Sequence, residues 1–358
     1  MRLLVTGICG FVGSALARCF LERIEGIEIF GIDSLIRRGS ELNRQSLPKI
    51  GCKIFHGDVR APSDLDQLPP VDWVIDAAAN PSVSAGIDGS TSSRQLVEHN
   101  LLGTINILEY CRRYSAGLIL LSTSRVYSIP ALGSLALARI ANRFEPDVTR
   151  ALPIGISPQG ISEDFSTAAP ISLYGATKLS SEVLALEYGR TFRFPVWIDR
   201  CGVIAGQGQF GTAEQGIFSF WIHAWRSQLR LRYIGFGGTG FQVRDALHPR
   251  DLAALVAGQL GDANSEEADR IWNIGGGLNN SMSLAELSEW CSDRFTHRDV
   301  EPNMDPRPFD LPWLVMDAGL AKSRWGWKPA VGLGEILTEI ADHADQNSEW
   351  LQACRGGW

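Results

Sequence analysis

The chain has 358 residues, of which 45% are apolar and 20% are charged, and its formal net charge is −7. This length exceeds what one hydrophobic core fills comfortably, so we expect one large domain with a smaller lobe, or two domains. The acidic balance excludes a general attraction to polyanions, so nucleic acid is not an expected partner. No run reaches the roughly 18 apolar residues that a membrane span needs, so no membrane association is expected.

The seven cysteines lie far apart, and no C-x-x-C pair or histidine cluster accompanies them. This spacing does not predict a zinc site, so no metal is expected. Gly7 comes directly after "MRLLVT", which leaves no room for the apolar region of a signal peptide. We therefore expect a cytoplasmic protein.

Short apolar runs alternate with helical patterns through the first half of the chain. The runs predicted as strands are "RLLVT", "IEIFGI", "CKIFHG", "DWVIDAAA", "GLILLS" and "FPVWIDR". Apolar residues three and four apart lie between most of them, as in the stretch from Leu96 to Cys111. Strand and helix in alternation predict an α/β fold with a Rossmann-like, doubly wound parallel sheet.

After about residue 205 this alternation gives way to short helices and glycine-rich turns such as "GQGQFG" and "GFGGTG". We predict an NAD-binding domain over residues 1–204 and a smaller C-terminal α/β substrate lobe over residues 205–358. The chain is expected to return to the first domain around residues 245–275. The proline and glycine content of the insertion at residues 128–170 is typical of a loop or lid over a site.

Gly7, Gly10 and Gly13 follow the first predicted strand and open the first predicted helix. Their missing side chains let a pyrophosphate approach the backbone N–H groups at the positive end of that helix, beside Phe11 and Val12. The spacing is G-x-x-G-x-x-G in place of the G-x-G-x-x-G fingerprint. A tight turn that only serves helix packing is the alternative interpretation.

Asp33 ends the next predicted strand, 26 residues after the first of these glycines, where its carboxylate can accept hydrogen bonds from an adenosine ribose. This carboxylate repels a 2′-phosphate, so NAD is the predicted cofactor. Arg37 and Arg38 keep NADP as the alternative, because a guanidinium can hold that phosphate. Asp58 and Val59 follow the third strand and are predicted to border the adenine, with a turn-forming role for Asp58 as the alternative.

Tyr174 and Lys178 stand four residues apart in "SLYGATKLSSEVLALEY", so one helix face carries both the phenol and the ammonium. A cation beside a phenol stabilises the phenolate and lowers its pKa, which makes the tyrosine usable as a base near neutral pH. This motif follows the glycine-rich turn and the hydroxyl-rich strand end "LLSTSRVYS", and this order predicts a catalytic site.

In these motifs the chain resembles the extended short-chain dehydrogenases/reductases, the group of sugar-nucleotide epimerases and dehydratases. The matching segments are "TGICGFVGS", "STSRVY", "YGATK" and "QVRD". The resemblance implies that Tyr174 is the proton shuttle, that Lys178 holds the nicotinamide ribose and that Thr123 hydrogen-bonds the reacting hydroxyl. It also implies that Asn100 lies near the cofactor, with a purely structural asparagine as the alternative.

The end of the fourth predicted strand, "DAAANPSV", is expected to border the nicotinamide and the sugar. Ala77 and Ala79 are expected on the cofactor side, and Asn80 and Ser82 on the substrate side.

Positions 124 and 125 separate this chain from two kinds of relative. Similar 4,6-dehydratases carry Asp-Glu after the catalytic threonine, and decarboxylating relatives carry a glutamate at the second of these positions. This chain has Ser124 and Arg125 there, so the acid and the base of an elimination are missing. Oxidation of a carbinol to a ketone and return of the hydride remain, with Arg125 as a substrate contact or as a loop-packing residue.

The C-terminal half resembles one subgroup, the CDP-paratose 2-epimerases, in "RCGVIAGQGQFGTAEQG" and "YIGFGGTGFQVRDALHPRD". This resemblance places Gln215 beside the nucleotide sugar and implies that Arg244 and Arg307 hold its diphosphate. An ion pair of Arg244 with Asp245 or Asp251 is the alternative.

The resemblance therefore implies an NAD-dependent sugar-nucleotide epimerase that prefers a CDP-sugar and acts at C2 of a deoxyhexose. A homodimer is expected, because Leu96, Leu102, Leu179 and Leu186 exceed what one sheet face needs to cover. Val203 stands at a position where many relatives carry an asparagine. The contact that this asparagine would make with the diphosphate or the sugar is therefore not predicted for this chain. The alternatives are a UDP-hexose 4-epimerase, a reductase that releases its cofactor, and a non-catalytic nucleotide-sensing module, which the intact catalytic motifs disfavour.

Overall fold

The computed structural model describes residues 1–87, 89, 92–262 and 270–355. Within these ranges the strands are β1 Arg2–Thr6, β2 Glu28–Asp33, β3 Lys53–His56, β4 Trp73–Asp76, β5 Gly117–Thr123, β6 Leu137–Ile140, β7 Arg143–Pro146, β8 Ile156–Ser157, β9 Gly160–Ile161, β10 Val196–Cys201, β11 Val203–Ile204, β12 Arg232–Ile234, β13 Val243–Leu247, β14 Ile271–Ile274, β15 Ser281–Ser283, β16 Glu301–Asn303 and β17 Trp313–Leu314.

The helices of the same ranges alternate with the strands in the first half of the chain. They are α1 Phe11–Arg23, α2 Ser40–Ser46, α3 Pro62–Leu65, α4 Ser93–Val97, α5 Gly103–Tyr114, α6 Ile129–Gly133, α7 Ser172–Phe192, α8 Ile217–Arg226, α9 Pro249–Leu260, α10 Leu284–Arg294, α11 Gly319–Trp325, α12 Leu333–Gln346 and α13 Trp350–Arg355. A π-helical turn, Glu98–Leu102, joins α4 to α5.

In the described part of the chain, seven strands form one parallel sheet in the order β14-β10-β5-β4-β1-β2-β3. The direction of the connections reverses between β1 and β4, and ligands of doubly wound sheets bind in the crevice at such a reversal. This order confirms the predicted α/β fold class, and the strands predicted in the first half are present. β14 was not predicted as a strand, because a run of four residues with three apolar side chains does not distinguish a strand from a loop.

Both faces of the sheet are covered. Successive side chains of β1 point in opposite directions, so Leu3 and Val5 enter one apolar cluster and Leu4 enters another. α1 and α9 contribute to the first cluster, and α5 and α7 contribute to the second. Each of these fully buried aliphatic side chains stabilises the fold by about 1.5–3 kcal/mol, which explains why the strands are continuous apolar runs.

A further apolar cluster lies between α8, α10 and α12. Beside it, β13 pairs with β11 and β17 in parallel and with β15 in antiparallel orientation. α9 packs against α1, and β14 is the edge strand of the large sheet next to β10, so residues 249–260 and 271–274 contact the first half of the chain. The division at residues 204 and 205 stays a prediction.

The insertion at residues 128–170 forms the antiparallel pairs β6–β7 and β8–β9. The backbone N–H of Phe144 donates to the carbonyl of Phe241 at 3.0 Å, and that of Ile161 donates to Val315 at 2.8 Å. None of the described residues between 128 and 170 lines either cavity discussed below. The insertion therefore does not cover either cavity, contrary to the lid prediction, and these two hydrogen bonds join it to the C-terminal half of the chain.

No helix of the described ranges is long and apolar enough to cross a membrane. The same ranges contain no group of three or more His, Cys, Asp or Glu side chains that could hold a metal ion.

Asp199 is a fully buried carboxyl group on β10. Gln259 donates to its Oδ1 at 2.7 Å, whereas Oδ2 has no hydrogen-bond partner among the described residues. Burial raises the pKa of Asp199 from 3.8 to about 7, although the hydrogen bond from Gln259 opposes this rise. Because the folded-state pKa exceeds the unfolded one, the protonated carboxyl stabilises the fold below about pH 4, and this stabilisation is lost as the pH rises to 7.

We expect Asp199→Asn to raise the free energy of unfolding at pH 8 by roughly 1–4 kcal/mol, because the variant has no charge to bury. At pH 5 the difference from the wild type should be smaller. Urea unfolding at both pH values measures this, with the exposed Asp66→Asn as the control. If the stability of the Asp199 variant depends on pH as that of the wild type does, the raised pKa of Asp199 is contradicted.

Candidate active site

The turn between β1 and α1 requires glycine at two positions. Gly7 has a φ of +61°, and a Cβ atom there would lie 3.0 Å from the Cα of Ala78 at the end of β4. A Cβ atom on Gly13 would lie 2.5 Å from the carbonyl oxygen of Gly7. Gly10 precedes the first residue of α1, so the free N–H groups of this helix face the same space. This cradle fits a pyrophosphate.

A cavity of about 670 Å³ opens at the carboxyl ends of the sheet, where the connections reverse. It is lined by these predicted site residues: Gly7, Gly10, Phe11, Val12, Gly13, Asp33, Asp58, Val59, Ala77, Ala79, Asn80, Ser82, Thr123, Ser124, Arg125, Tyr174, Lys178 and Gln215. Its size lies in the usual range of ligand pockets. The structure thus brings the predicted catalytic residues together with nearly the whole predicted cofactor set.

Asp33 lines this cavity at the end of β2. Its carboxylate accepts the backbone N–H groups of Cys9 and Leu35, each at 2.8 Å, which fix its orientation. Burial raises the pKa of Asp33, and these hydrogen bonds oppose the rise. The guanidinium of Arg37 donates to the carbonyl of Phe210, and Arg38 is exposed and is not among the described residues that line the cavity. Arg38 is therefore not placed to receive a 2′-phosphate, whereas Arg37 lines the cavity, so the preference for NAD over NADP rests on the Asp33 carboxylate.

Asp58 both forms a turn and lines the cavity. Arg60 donates to its carboxylate from the backbone at 2.9 Å and from the guanidinium at 2.6 Å. Burial acts to raise the pKa of Asp58, but the hydrogen bonds from Arg60 outweigh it and lower the pKa. Val59 lines the same wall, and its carbonyl accepts a hydrogen bond from Asn106 at 2.8 Å.

Asn100 lies in the π-helical turn and is buried. Its Oδ1 accepts the backbone N–H of Asn80 at 2.7 Å, and its Nδ2 donates to the Asn80 carbonyl at 3.0 Å. Asn100 is not among the described residues that line the cavity, whereas Asn80 is. The alternative of a structural asparagine fits this geometry, because Asn100 fixes the backbone that borders the site.

Tyr174 is almost fully buried at the centre of the cavity wall. Burial raises the pKa of Tyr174 to about 12, while the hydrogen bond with Thr123 and the charge of Arg125 lower it. The predicted lowering by Lys178 is therefore not observed. The cost of placing a phenolate in a buried site exceeds the stabilisation by nearby cations, and the cation that acts on Tyr174 is Arg125.

Lys178 is buried one turn further along α7. Burial lowers the pKa of Lys178, and the carboxylates of Asp76 and Glu182 act in the opposite direction. Thr6 and Thr104 donate to the two oxygens of Asp76 at 2.7 and 2.8 Å, so this carboxylate is held in place below the cavity.

Glu182 and Arg200 form a buried ion pair behind the catalytic helix, with side chains 1% and 6% exposed. The guanidinium donates to both carboxylate oxygens, at 2.8 Å to Oε2 and 3.1 Å to Oε1, and the hydroxyl of Ser122 also donates to Glu182. Arg200 further donates to the hydroxyl of Tyr127 at 3.3 Å. The pair thus connects α7 with β5 and β10, and sequence analysis did not identify it because its members stand in different elements.

A second cavity of about 150 Å³ adjoins the first and shares Arg125 and Gln215 with it. Arg244 and Arg307, the predicted diphosphate ligands, line this second cavity. Arg244 forms its ion pair with Asp310 at 2.8 Å.

The alternative partners proposed for Arg244 are occupied elsewhere. The carboxylate of Asp245 accepts the backbone N–H of Gly277 at 3.0 Å, and that of Asp251 accepts the backbone N–H of Val331 at 3.1 Å. Neighbouring residues on a strand point to opposite faces, so Asp245 could not share the cavity with Arg244.

Arg125 stands between the two cavities. It donates to the carbonyl of Phe309 at 3.1 Å, and it forms no ion pair with any residue that the structure describes. Burial and the charges of Arg244 and Arg307 together lower the pKa of Arg125 to about 10, and the charge of Asp310 opposes this lowering. The guanidinium groups therefore create a concentrated positive field, which suits a diphosphate.

Uncharged residues also line the substrate end of the site. The side-chain amide oxygens of Gln215 and Gln242 are buried there and lack a partner among the described residues. Val203 lines both cavities at the position where many relatives carry asparagine. The sequence analysis missed Cys201 and Phe210, which line the large cavity, although the turn "GQGQFG" was a signal for the second of them.

Comparison with known proteins agrees with this geometry. The model of the NAD dependent epimerase/dehydratase family matches residues 3–275. CDP-paratose 2-epimerase of Salmonella typhi is 30% identical over 96% of this chain and 98% of its own length. UDP-glucuronate 4-epimerase of Thermodesulfobacterium geofontis is 24% identical over 98% of both chains.

A solved structure with bound NAD shares the fold. UDP-glucose 4-epimerase of Thermus thermophilus, in complex with NAD, superimposes with a TM-score of 0.75 and 25% identity over 96% of this chain and 99% of its own. The chain therefore belongs to the NAD dependent epimerase/dehydratase family, and NAD is its cofactor.

Proposed function

We propose that this protein is a nucleotide-sugar epimerase that inverts C2 of a CDP-linked deoxyhexose by transient oxidation. The observation that carries this proposal is the surroundings of Tyr174, which are the Thr123 hydroxyl and the Arg125 guanidinium. An elimination or a decarboxylation needs a carboxyl group beside the sugar to move a further proton. Ser124 and Arg125, which follow Thr123 and line the cavity, supply no carboxyl group for this step, which supports oxidation and reduction without elimination. Glu214 is a carboxylate that lines both cavities.

The chemistry divides between the cofactor and the chain. When bound, NAD supplies the hydride acceptor and, in its reduced form, the hydride donor. Thr123 accepts or donates a hydrogen bond at the reacting hydroxyl, and Tyr174 takes its proton as the ketone forms and returns it after the sugar has turned its other face. Positive charge in the cavity lowers the pKa of Tyr174, as Arg125 already does, and so increases the fraction of Tyr174 present as the phenolate, the form that can take the proton.

The proposed substrate contacts follow from the charges. Arg244 and Arg307 are proposed to bind the diphosphate, because guanidinium groups form paired hydrogen bonds to phosphate oxygens. Gln215 and Gln242 bring buried amide oxygens that need hydrogen-bond donors, and the hydroxyl and amino groups of a nucleotide sugar supply them. The CDP preference is proposed from the relative of Salmonella typhi.

A UDP-hexose 4-epimerase is the second candidate. Arg125 favours such an enzyme with a uronic acid as the sugar. A guanidinium without an ion pair among the described residues, close to Tyr174, is suited to the carboxylate of a uronic acid. A non-catalytic module is disfavoured, because such a module does not need Thr123, Tyr174 and Lys178 on one cavity wall.

The proposal is tested with CDP-, UDP-, GDP- and dTDP-sugars in D₂O, with stereochemistry and isotope content measured by NMR. We expect inversion at C2 of a CDP-deoxyhexose, with no deuterium at C2, because the same hydride returns to the sugar. Conversion of UDP-glucuronate alone would establish the second candidate. Accumulation of NADH with a stable keto-sugar would contradict both and indicate a dehydrogenase.

We further propose a homodimer formed through the helices that carry Asn100 and Tyr174. Of the leucines used for this prediction, Leu96 is fully buried within the protomer, and Leu102 is 40% exposed. Exposed apolar side chains on α4 and α7 are Val97, Leu173, Val183 and Phe192.

Val183→Arg is expected to convert the dimer to a monomer, because Val183 is 55% exposed and an arginine there would place like charges together across a two-fold axis. Light scattering at micromolar concentration measures this, with the exposed Ile154→Arg as the control. A monomeric wild type, or a variant that stays dimeric, would contradict the proposed interface.

A cytoplasmic location is proposed as well. Within the described ranges, these cysteines are free thiols, as expected in a reducing compartment: Cys9, Cys19, Cys52, Cys111, Cys201 and Cys291.

A further inference from the structure

The segment between β11 and α8, residues 205–216, crosses from the substrate end of the site to the cofactor end. Its residue Phe210 is buried and lines the large cavity together with Ile36 and Arg37, which follow β2. The guanidinium of Arg37 donates to the Phe210 carbonyl. This hydrogen bond joins two segments that are far apart in the sequence and stand on opposite sides of the cofactor cradle.

The fit between these two segments is close. Gly39 has a φ of +90°, and a Cβ atom there would lie 2.6 Å from the ring of Phe210. The ring therefore packs directly against the backbone at Gly39. Burial lowers the pKa of Arg37. A guanidinium carries its charge in proteins, so its hydrogen bond to the carbonyl is charge-assisted.

Trp350, the first residue of the C-terminal helix α13, packs against Phe210. The indole of Trp350 stacks on the Phe210 ring with a centroid distance of 5.4 Å and an angle of 19°. Its Nε1 donates to the carbonyl of Gln209 at 2.9 Å, and the hydroxyl of Ser219 donates to the same carbonyl at 3.1 Å. Trp350 is not among the described residues that line the cavity, so it acts on the cofactor through its contacts with Phe210 and Gln209, which do line it.

We infer that the contact of Arg37 with Phe210, supported by Trp350, retains NAD in its site. A dinucleotide that lies on the glycine turn and reaches Asp33 is flanked by Arg37 and Phe210, which line the same cavity. Its release requires that the Arg37 hydrogen bond breaks and that Phe210 leaves the face of Trp350. Because both changes must occur before NAD can leave, they raise the barrier to NAD dissociation and lower its rate.

The inference deepens the proposed function, because an enzyme that returns the hydride to the same sugar needs no cofactor exchange. Its test does not depend on that function, since NAD retention is measured without any sugar. Arg37, Phe210 and Trp350 are here cofactor-positioning residues and take no part in the transfer of hydride or protons.

Trp350→Ala is the primary variant. Wild-type protein is expected to carry NAD(H) through gel filtration, and the variant is expected to release it about tenfold faster, the size of effect that follows from loss of one aromatic pair and one hydrogen bond. Bound NAD(H) is measured by denaturing samples at intervals after rapid dilution and assaying the filtrate. Urea unfolding of the NAD-free protein measures whether stability has changed.

The matched control is Trp290→Ala on α10. Trp290 is also partly buried and packs against the apolar cluster between α8, α10 and α12, but it is not among the described residues that line the cavity. Its NAD release rate should equal that of the wild type. Equal acceleration in both variants would overturn the inference, since the effect would then follow from general loss of stability.

A second variant covers the case in which Trp350→Ala does not fold. Arg37→Met removes the charge-assisted hydrogen bond to Phe210 and keeps the length and the apolar stem of the side chain. It is expected to release NAD several-fold faster at an unchanged urea midpoint. If folded Trp350→Ala or folded Arg37→Met retains NAD as long as the wild type does, the inference is wrong. A wild type that binds NAD but loses it during gel filtration would also overturn it.

Discussion

Tyr174→Phe is expected to lower the rate of epimerisation by about 10²–10⁴-fold, the usual effect of removing a positioned acid and base. The substitution deletes one oxygen and keeps the ring, which packs with Ala85 and Leu96 in a small buried cluster. Fold and bound NAD should therefore survive. The measurement is the turnover of the substrate identified by NMR, together with the NAD(H) content of the purified variant.

Two further variants make this result specific. Tyr188→Phe removes the same oxygen from the same helix, at a hydroxyl that donates to Glu109 outside the cavity, and should leave the rate unchanged. Thr123→Ala should lower the rate less than Tyr174→Phe does, because it removes one hydrogen bond of about 1–3 kcal/mol and leaves the proton shuttle in place. Near-normal turnover by a folded Tyr174→Phe variant would show that the family fold is present without this mechanism.

Arg200→Met is expected to lower the free energy of unfolding by about 3–5 kcal/mol, because it leaves the Glu182 carboxylate buried without its partner. The carboxylate would keep only the hydrogen bond from Ser122. Glu182 also stands one turn from Lys178 and acts on its pKa. The loss of stability should therefore include the catalytic helix α7. Urea unfolding at pH 7 measures the effect.

The control is Arg113→Met, which removes an ion pair with Asp66 whose side chains are 55% and 56% exposed. Exposed ion pairs contribute about 0–1 kcal/mol, so this variant should unfold almost like the wild type. Similar losses in both variants would contradict the view that burial makes the Glu182–Arg200 pair important. Adding Glu182→Leu to Arg200→Met should recover part of the lost stability, since no unpaired charge then remains.

Sequence analysis predicted those parts of the protein that depend on local patterns. Apolar runs and helical spacing are local, and they predicted the parallel sheet. The glycines of the first turn are needed where a side chain would meet the backbone, and the structure shows this contact at Gly7 and Gly13. Two residues four apart on a helix lie on one face because of the helical pitch. The position of Tyr174 and Lys178 on the same wall of the cavity could therefore also be predicted.

Other features depend on where distant segments meet, and these could not be predicted. The partner of Arg244 is Asp310, on a loop that sequence patterns do not bring near β13. The pKa of Tyr174 depends on burial, which outweighs the cationic neighbours that the motif suggests. The composition of residues 128–170 indicated turns correctly, but composition does not indicate which surface a turn-rich segment packs against.

The position of β14 has a consequence for how the chain folds. β10 forms backbone hydrogen bonds with β5 on one side and with β14 on the other, and Ile198 pairs with Ile271 across the entire intervening segment. During synthesis the first six strands of the sheet therefore emerge with β10 as an open edge, and an unpaired apolar edge strand can associate with other chains. The sheet becomes complete only after residue 274 has left the ribosome, and pairing over such a long loop is slow. A chain that ended at residue 204 would therefore contain the glycine turn and the catalytic helix but would leave the β14 side of β10 without its partner strand.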